Sequence, residues 1–283
     1  MSAITAPIES RRVPILRSTR SASLAAFGAM LLRDLRVLEK ELGPFIMRTI
    51  MQPFLLLFVF AYVFPKIGQG VGGSSSSESQ FSTVLMAGVI GTAMIMQGVQ
   101  AVAMPLVQEF GYTREIDDRV MAPLPVWGVA AEKIASGAIQ ALISGLVVFP
   151  LAYRLPATPV HVHVHWLLLL TLMPLGAVMS AALGLTMGTR VKPTQVPLLF
   201  AIVILPIAFL GCVYYPWQAL EPIKWLQVAV LVNPLVYLSE AFRAALTAGV
   251  PHMALWAIYL AMAGFTVALA WIGIDGFRRR VLS

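Results

Sequence analysis

SQFSTVLMAGVIGTAMIMQGVQAVAMPLVQ, residues 79–108, runs for thirty positions without an Asp, Glu, Lys or Arg. About 20 apolar residues in a helix cross the roughly 30 Å hydrocarbon core of a bilayer. Backbone in hydrocarbon finds no water to bond, so a run of this length must satisfy its own hydrogen bonds as a helix. Five more charge-free runs lie on either side of it, at 49–65, 134–153, 155–189, 193–220 and 244–274. The pattern predicts an all-α integral membrane fold with spans near 45–64, 81–106, 127–153, 166–189, 195–216 and 252–274.

Composition agrees. Hydrophobic residues make up 59% of the 283 and charged ones 12%, against about 25% charged in soluble domains. No single soluble core of this size hides so much apolar surface. Cys212 is the only cysteine, which excludes an internal disulfide or a multi-cysteine metal cluster. Residues 1–20 carry Arg11, Arg12, Arg17 and Arg20 without an apolar core, so they read as a flexible cytoplasmic tail before one membrane domain, 21–280.

The net charge of +7 is explained by its placement. With the amino terminus inside and spans alternating, sixteen basic residues fall inside and four outside (Lys66, Arg154, Lys224 and Arg243). That bias is the positive-inside pattern, with both termini cytoplasmic. Because an insertion signal accounts for the basic residues, nucleic acid is not an expected partner; the bilayer is.

Residues 21–43 place Leu31, Leu35, Leu38 and Leu42 at helical spacing, with Arg33, Asp34, Arg36, Glu39 and Lys40 elsewhere on the turn. They predict an amphipathic interfacial helix ended by Pro44. Arg48 is expected to snorkel from the first span, and Pro53 to kink it. Gly176, Ser180, Gly184 and Gly188, with Gly137, Ala141 and Gly145, predict close helix packing. Residues 217–250 are too apolar for a loop, yet their charge-free run 225–239 is short and split by Asn233–Pro234. Two short helices that enter the membrane and return fit them, with Glu240 and Arg243 paired three residues apart.

Catalytic equipment is sparse. His161, His163 and His165 alternate with valine; as a strand they point one way and offer imidazoles to zinc or copper. The glycine- and serine-rich loop 65–80 lacks the Gly-Lys-Ser/Thr ending of a phosphate loop. No ionisable residue sits at the centre of the charge-free runs to couple an ion gradient. A membrane enzyme or metal handler using the histidines, and an ion-coupled carrier or channel, remain alternatives. No catalytic, cofactor-binding or metal residue is assigned.

The segment 108–126, QEFGYTREIDDRVMAPLPV, mixes charges with apolar residues expected to be exposed, among them Phe110, Tyr112 and Ile116. Thr113 is placed to cap a short helix from Arg114, which the prolines at 123 and 125 stop. Such a helix suits a soluble partner's groove. EFGYTREIDDRVMAPL (109–124) resembles the loop after the second span of the type-2 ABC exporter permeases. NPLVYLSEAFRAAL (233–246) resembles their re-entrant region, and Arg33-Asp34-Leu35 followed by Pro53 is similar to their start. Tyr112-Thr113-Arg114 departs from the plainer Gly-Thr-Leu/Ile-Glu of many members.

The resemblance runs from about residue 24 to 280 and implies the following. The chain is the permease of an exporter for an amphipathic cargo (drug, lipid or glycolipid) in a bacterial-type inner or plasma membrane. It pairs with a second copy or close paralogue and binds a separate ATP-binding cassette ATPase, which carries the ATP and Mg. Glu109, Phe110, Gly111, Tyr112, Thr113, Arg114, Glu115 and Ile116 would couple to that ATPase, alongside Arg33, Asp34, Arg36 and Lys40. Asn233, Pro234, Tyr237, Glu240 and Arg243 would shape the re-entrant region.

Overall fold

The computed structural model describes residues 19–68, 75–113, 124–191, 193–195, 198 and 200–281. Among these the chain is helical apart from its connections and one isolated bridge, Val162 to Thr247.

Helix α1, Thr19–Lys40, is the expected surface helix. Leu31 and Leu35 are half-buried and Leu38 is buried, whereas Arg33, Arg36 and Lys40 are exposed. Leu42, expected on the inner face, is exposed because the chain turns at Glu41 and a new helix begins. Pro44 therefore does not make the break. It falls in the first turn of α2, Leu42–Lys66, where a missing N–H leaves no bond unmade. Past Pro53 the helix widens into π-turns at Phe58–Val63. Phe45, Thr49, Pro53, Leu57 and Ala61 face inward, while Met47, Met51, Leu55, Phe58 and Tyr62 form an exposed stripe.

Helix α3, Ser75–Gln108, continues as a π-turn through Glu109–Thr113. It is the axis of the bundle: its most apolar window is wholly enclosed by the rest of the chain. Around it stand α4 (Val126–Arg154), α5 (Trp166–Arg190) and α9 (Leu255–Val281). The small-residue face of α5 does what its spacing predicts. A Cβ on Gly184 would lie 2.9 Å from both the Gly98 carbonyl oxygen and the Val99 Cα of α3, so backbone meets backbone without side chains between.

The fifth span departs from the expectation of a helix over 195–216. Helix α6 occupies 200–209 as a π-turn, Phe200–Ile204, and a short α-segment, Leu205–Phe209. Helical geometry then stops at Leu210, and Cys212 takes a left-handed φ of 51°, uncommon for a residue with a Cβ. Residues 210–216 are apolar but not helical, and charge-free composition does not distinguish the two.

The two short helices expected over 217–250 are present. Helix α7, Lys224–Val232, and helix α8, Pro234–Leu246, meet at 98°. Asn233 makes the corner: its Oδ1 accepts the Leu235 amide at 2.9 Å and its Nδ2 donates to the Ile207 carbonyl at 2.8 Å. Pro234 occupies the first helical position, where no donor is required. Every residue of α8 is buried. Tyr237 donates to the Leu231 carbonyl at 3.0 Å and lies against Phe265.

Glu240 and Arg243 hold this region together. Both are completely buried and pair at 2.6 Å, one turn apart. Glu240 also accepts the Trp217 amide on Oε1 at 2.9 Å and the Met253 amide on Oε2 at 2.8 Å. Arg243 Nη2 donates to the carbonyls of Cys212 and Val213. The pair thus supplies partners to backbone groups that the breaks after α6 and before α9 leave without helical ones.

Two outcomes follow for unfolding measured in mild detergent. Arg243→Met strands a buried carboxylate and costs about 3–5 kcal/mol. Glu240→Gln/Arg243→Met recovers part of this, since a neutral amide oxygen still accepts a backbone N–H; equal losses would show that charge imbalance is not the cost. Gly184→Ala costs about 1–3 kcal/mol by overpacking. Gly264→Ala, which meets nothing within 4 Å, is near neutral, and equal effects at the two positions would refute the close approach.

Candidate functional site

The two ends of the bundle differ in chemistry. One end, called the basic end below, gathers the start of α4 and the finish of α3, α5 and α9, with α1 alongside. Lys133, in the second turn of α4, is 4% exposed. Its Nζ donates to Glu109 Oε1 at 2.7 Å and lies 3.7 Å from Asp34 Oδ2. One buried ammonium therefore joins α1, α3 and α4. On the other side of α3, Phe110 packs edge-on against Phe277 of α9, with centroids 5.6 Å apart. The Arg280 guanidinium lies 4.6 Å above the same ring. Arg280 Nη1 donates to the carbonyls of Gly188, Thr189 and Val191 at 3.1–3.3 Å, closing the end of α5. Two successive residues of α3 thus hold four other helices.

The sequence placed Glu109–Thr113 in a connector, and the structure places them in helix. Glu109 reads as a loop residue because it is charged, but Lys133 neutralises it in the core and the helix runs on. Phe110, expected exposed, is half-buried against Phe277. Gly111 is exposed, and the backbones of Tyr112 and Thr113 belong to the π-turn. Arg114, Glu115 and Ile116, and the short helix expected to start there, lie outside the described residues, as do residues 1–18. Of the α1 group, Asp34 joins the Lys133 cluster, while Arg33, Arg36 and Lys40 are on its exposed side.

Lys133 and Arg280 were read in the sequence only as topogenic charges. Their partners lie 24 and about 90 residues away, beyond the reach of any helical spacing rule. Gln97 was also missed. It accepts from Thr49 Oγ1 at 3.3 Å and donates to Gln140 at 3.5 Å, placing polar contacts between α2, α3 and α4.

The opposite end is built on backbone bonds. Ser79 donates to the Pro159 carbonyl at 2.6 Å, and the His161 amide to Thr83 Oγ1 at 3.2 Å. The His163 and His165 amides donate to the carbonyls of Leu246 and Ala245 at 2.9 and 2.8 Å. This is an extended segment with Val162 and Val164 against the core and the three imidazoles exposed. Among the described residues, no three His, Cys, Asp or Glu are placed to hold a metal ion.

Two spaces open along α2. A cleft of about 540 Å³ at the basic end is lined by α1, α2, α3 and α4, including Asp34, Arg48, Glu109 and Lys133. An open, almost wholly apolar groove of about 1110 Å³ runs beside Met51, Leu55, Val59, Phe81, Phe209 and Tyr214.

The family model for the ABC-2 type transporter matches residues 26–247, well over half of the chain. The chain belongs to the ABC-2 type transporter family. It is similar to the inner membrane transport permease YadH of Escherichia coli K12, 28% identical over 212 residues that cover 72% of this chain and 78% of the relative. The YadH permease of Shigella flexneri matches to the same extent. The matched region of this ABC-2 chain takes in most of α1, the Lys133 cluster and α8. Its role is that of a transport permease, and its family implies an ATPase partner.

The Lys133 cluster is testable through its coupling. In a double-mutant cycle of Glu109→Gln and Lys133→Gln, unfolding free energies are expected to couple by about 1–3 kcal/mol. Strictly additive losses would show that the two side chains do not act as one latch.

Proposed function

We propose that the chain is the membrane-spanning subunit of an ATP-driven exporter in a bacterial inner membrane. Its basic end faces the cytoplasm. There it receives a separate ATP-binding cassette ATPase, which binds ATP and Mg, and two permease copies or close paralogues line the path of an amphipathic cargo. Gly111 and Arg114–Ile116, with the exposed Arg33, Arg36 and Lys40 of α1, are the coupling surface. Glu109, Phe110 and Asp34 lie behind that surface and transmit its displacement.

One observation carries this reading. The central helix α3 continues past its apolar run into Glu109–Thr113 and is fastened there, on consecutive residues, to α4 and to α9. A push on this end moves packed helices together instead of flexing a loop. The exposed Met47, Phe58 and Tyr62 of α2 are the surface offered to the second copy, and the groove beside Met51 and Leu55 is offered to cargo. Family membership and the likeness to an inner membrane permease support the same assignment.

The test is capture of the ATPase. Mildly solubilised, tagged protein should bring down a soluble ATP-binding cassette subunit. Glu115→Lys should reduce its recovery by about tenfold, a charge reversal at a docking surface worth about 1.4 kcal/mol or more, with membrane levels unchanged. Wild-type recovery and transport in that variant would remove the coupling assignment. Absence of any captured ATPase, with transport persisting after ATP depletion, would remove the exporter reading.

A further inference from the structure

Arg48 stands six residues after Leu42 in α2, about 9 Å along the helix axis from its start. It borders the basic-end cleft, the apolar groove and a small void between α2 and α3. It is the residue at which these spaces meet. The surrounding charges are unequal in availability. Arg33, Asp34, Glu41, Glu109 and Lys133 share the cleft with it, and Lys133 is occupied by Glu109 and Asp34. Arg48 has no hydrogen bond or ion pair among the described residues. An arginine that merely snorkels turns to the lipid headgroups. Arg48 is exposed, as a snorkelling arginine is, and it also lines spaces between helices, with the amides of Gln52 and Gln100 beside it.

Beyond Arg48 the surroundings change within two turns from polar to apolar. The groove follows α2 from Met51 to Phe64 and is completed by Phe81, Phe209 and Tyr214. That is about 20 Å of apolar channel with a planar, permanently charged fork at one end. A guanidinium binds phosphate or carboxylate oxygens bidentately, and an apolar channel takes a hydrocarbon tail by excluding water. The cleft as a whole carries as many carboxylates (Asp34, Glu41, Glu109) as basic groups (Arg33, Arg48, Lys133), and it is Arg48, the charge at the mouth of the groove, that sets the occupant: one acidic head and one long apolar tail.

We propose that Arg48 is the headgroup-binding residue for an anionic, acyl-chain amphiphile that enters from the basic-end cleft and lays its tail along the α2 groove. The proposal rests on the exporter reading and narrows its cargo to acidic amphiphiles. Gln52 and Gln100 supply neutral donors around the head, and Leu55 contacts the tail.

The experiment is native mass spectrometry of the purified full-length protein, titrated with dioleoyl phosphatidylglycerol and with dioleoyl phosphatidylcholine. The anionic lipid is expected to bind about tenfold more tightly, the scale of one charge-assisted bidentate contact. Arg48→Gln abolishes the preference, Arg48→Lys keeps only part of it because an ammonium does not bind bidentately, and Arg279→Gln, on the exposed surface of α9, leaves it intact. Glycerol 3-phosphate, the head without the tail, does not compete. Leu55→Trp weakens both lipids. Equal binding of the two lipids, a preference that survives Arg48→Gln, or competition by glycerol 3-phosphate would overturn the proposal. So would a Leu55→Trp variant that changes the copy number in the spectra while binding both lipids normally, because a second copy would then cover the groove. ATPase capture by the wild-type protein is scored separately. If it succeeds while the lipid preference is absent, only the headgroup assignment fails; if it fails, the exporter reading falls whatever the lipids do.

Discussion

A backbone group that leaves a helix among apolar helices has no water to bond, and the segment expected as the fifth span leaves helical geometry at Leu210. The Glu240–Arg243 pair answers that constraint. Its carboxylate takes the amides of Trp217 and Met253, and its guanidinium takes the carbonyls of Cys212 and Val213. An isolated buried ion pair is poor evidence for stability, since desolvation offsets its attraction. This one is different in kind because each charge also replaces missing backbone partners. Those bonds tie the all-buried α8 to the segment after α6 and to the entry into α9.

The basic end solves a different problem with similar means. Under the proposed exporter function, the permease needs a surface that receives force and does not absorb it. Glu109 and Phe110 use one ion pair and one aromatic–cation contact to join α3 to α4 and α9, and Arg280 extends the same group to the end of α5. Gly184 and Gly98 bring the backbones of α3 and α5 into contact farther along. The central helix is thereby gripped along its length, while α2 keeps an open stripe and an apolar groove. Rigidity and openness are divided between opposite sides of one bundle.

Much of this was readable from residues 19–281 as a sequence. Charge-free runs marked α2, α3, α4, α5 and α9, because hydrocarbon tolerates few alternatives to a long apolar helix. The small residues of α5 and the Asn233–Pro234 corner were legible because both act over one or two turns. Two things were not. The end of α3 was placed too early, since a charged Glu109 looks solvated until Lys133 is brought beside it from 24 residues away. Residues 210–216 were taken for helix because apolar composition reports burial and is silent on backbone geometry. The His161–His165 alternation reports an extended segment with valines inward, and its chemistry is carried by backbone bonds.

The central claim is that the ends of α3, α4 and α9 move as one rigid group when the ATPase acts. Spin labels at Gly111 and Arg279, both exposed, report the distance across that group; the buried Cys212 is out of a label's reach. In spin-diluted complexes with the captured ATPase, pulsed dipolar spectroscopy should give one narrow distance distribution, the same without nucleotide and with ATP bound. A distribution that broadens or shifts on ATP binding would contradict the account, because α3 would then be bending at Glu109 instead of carrying its neighbours with it.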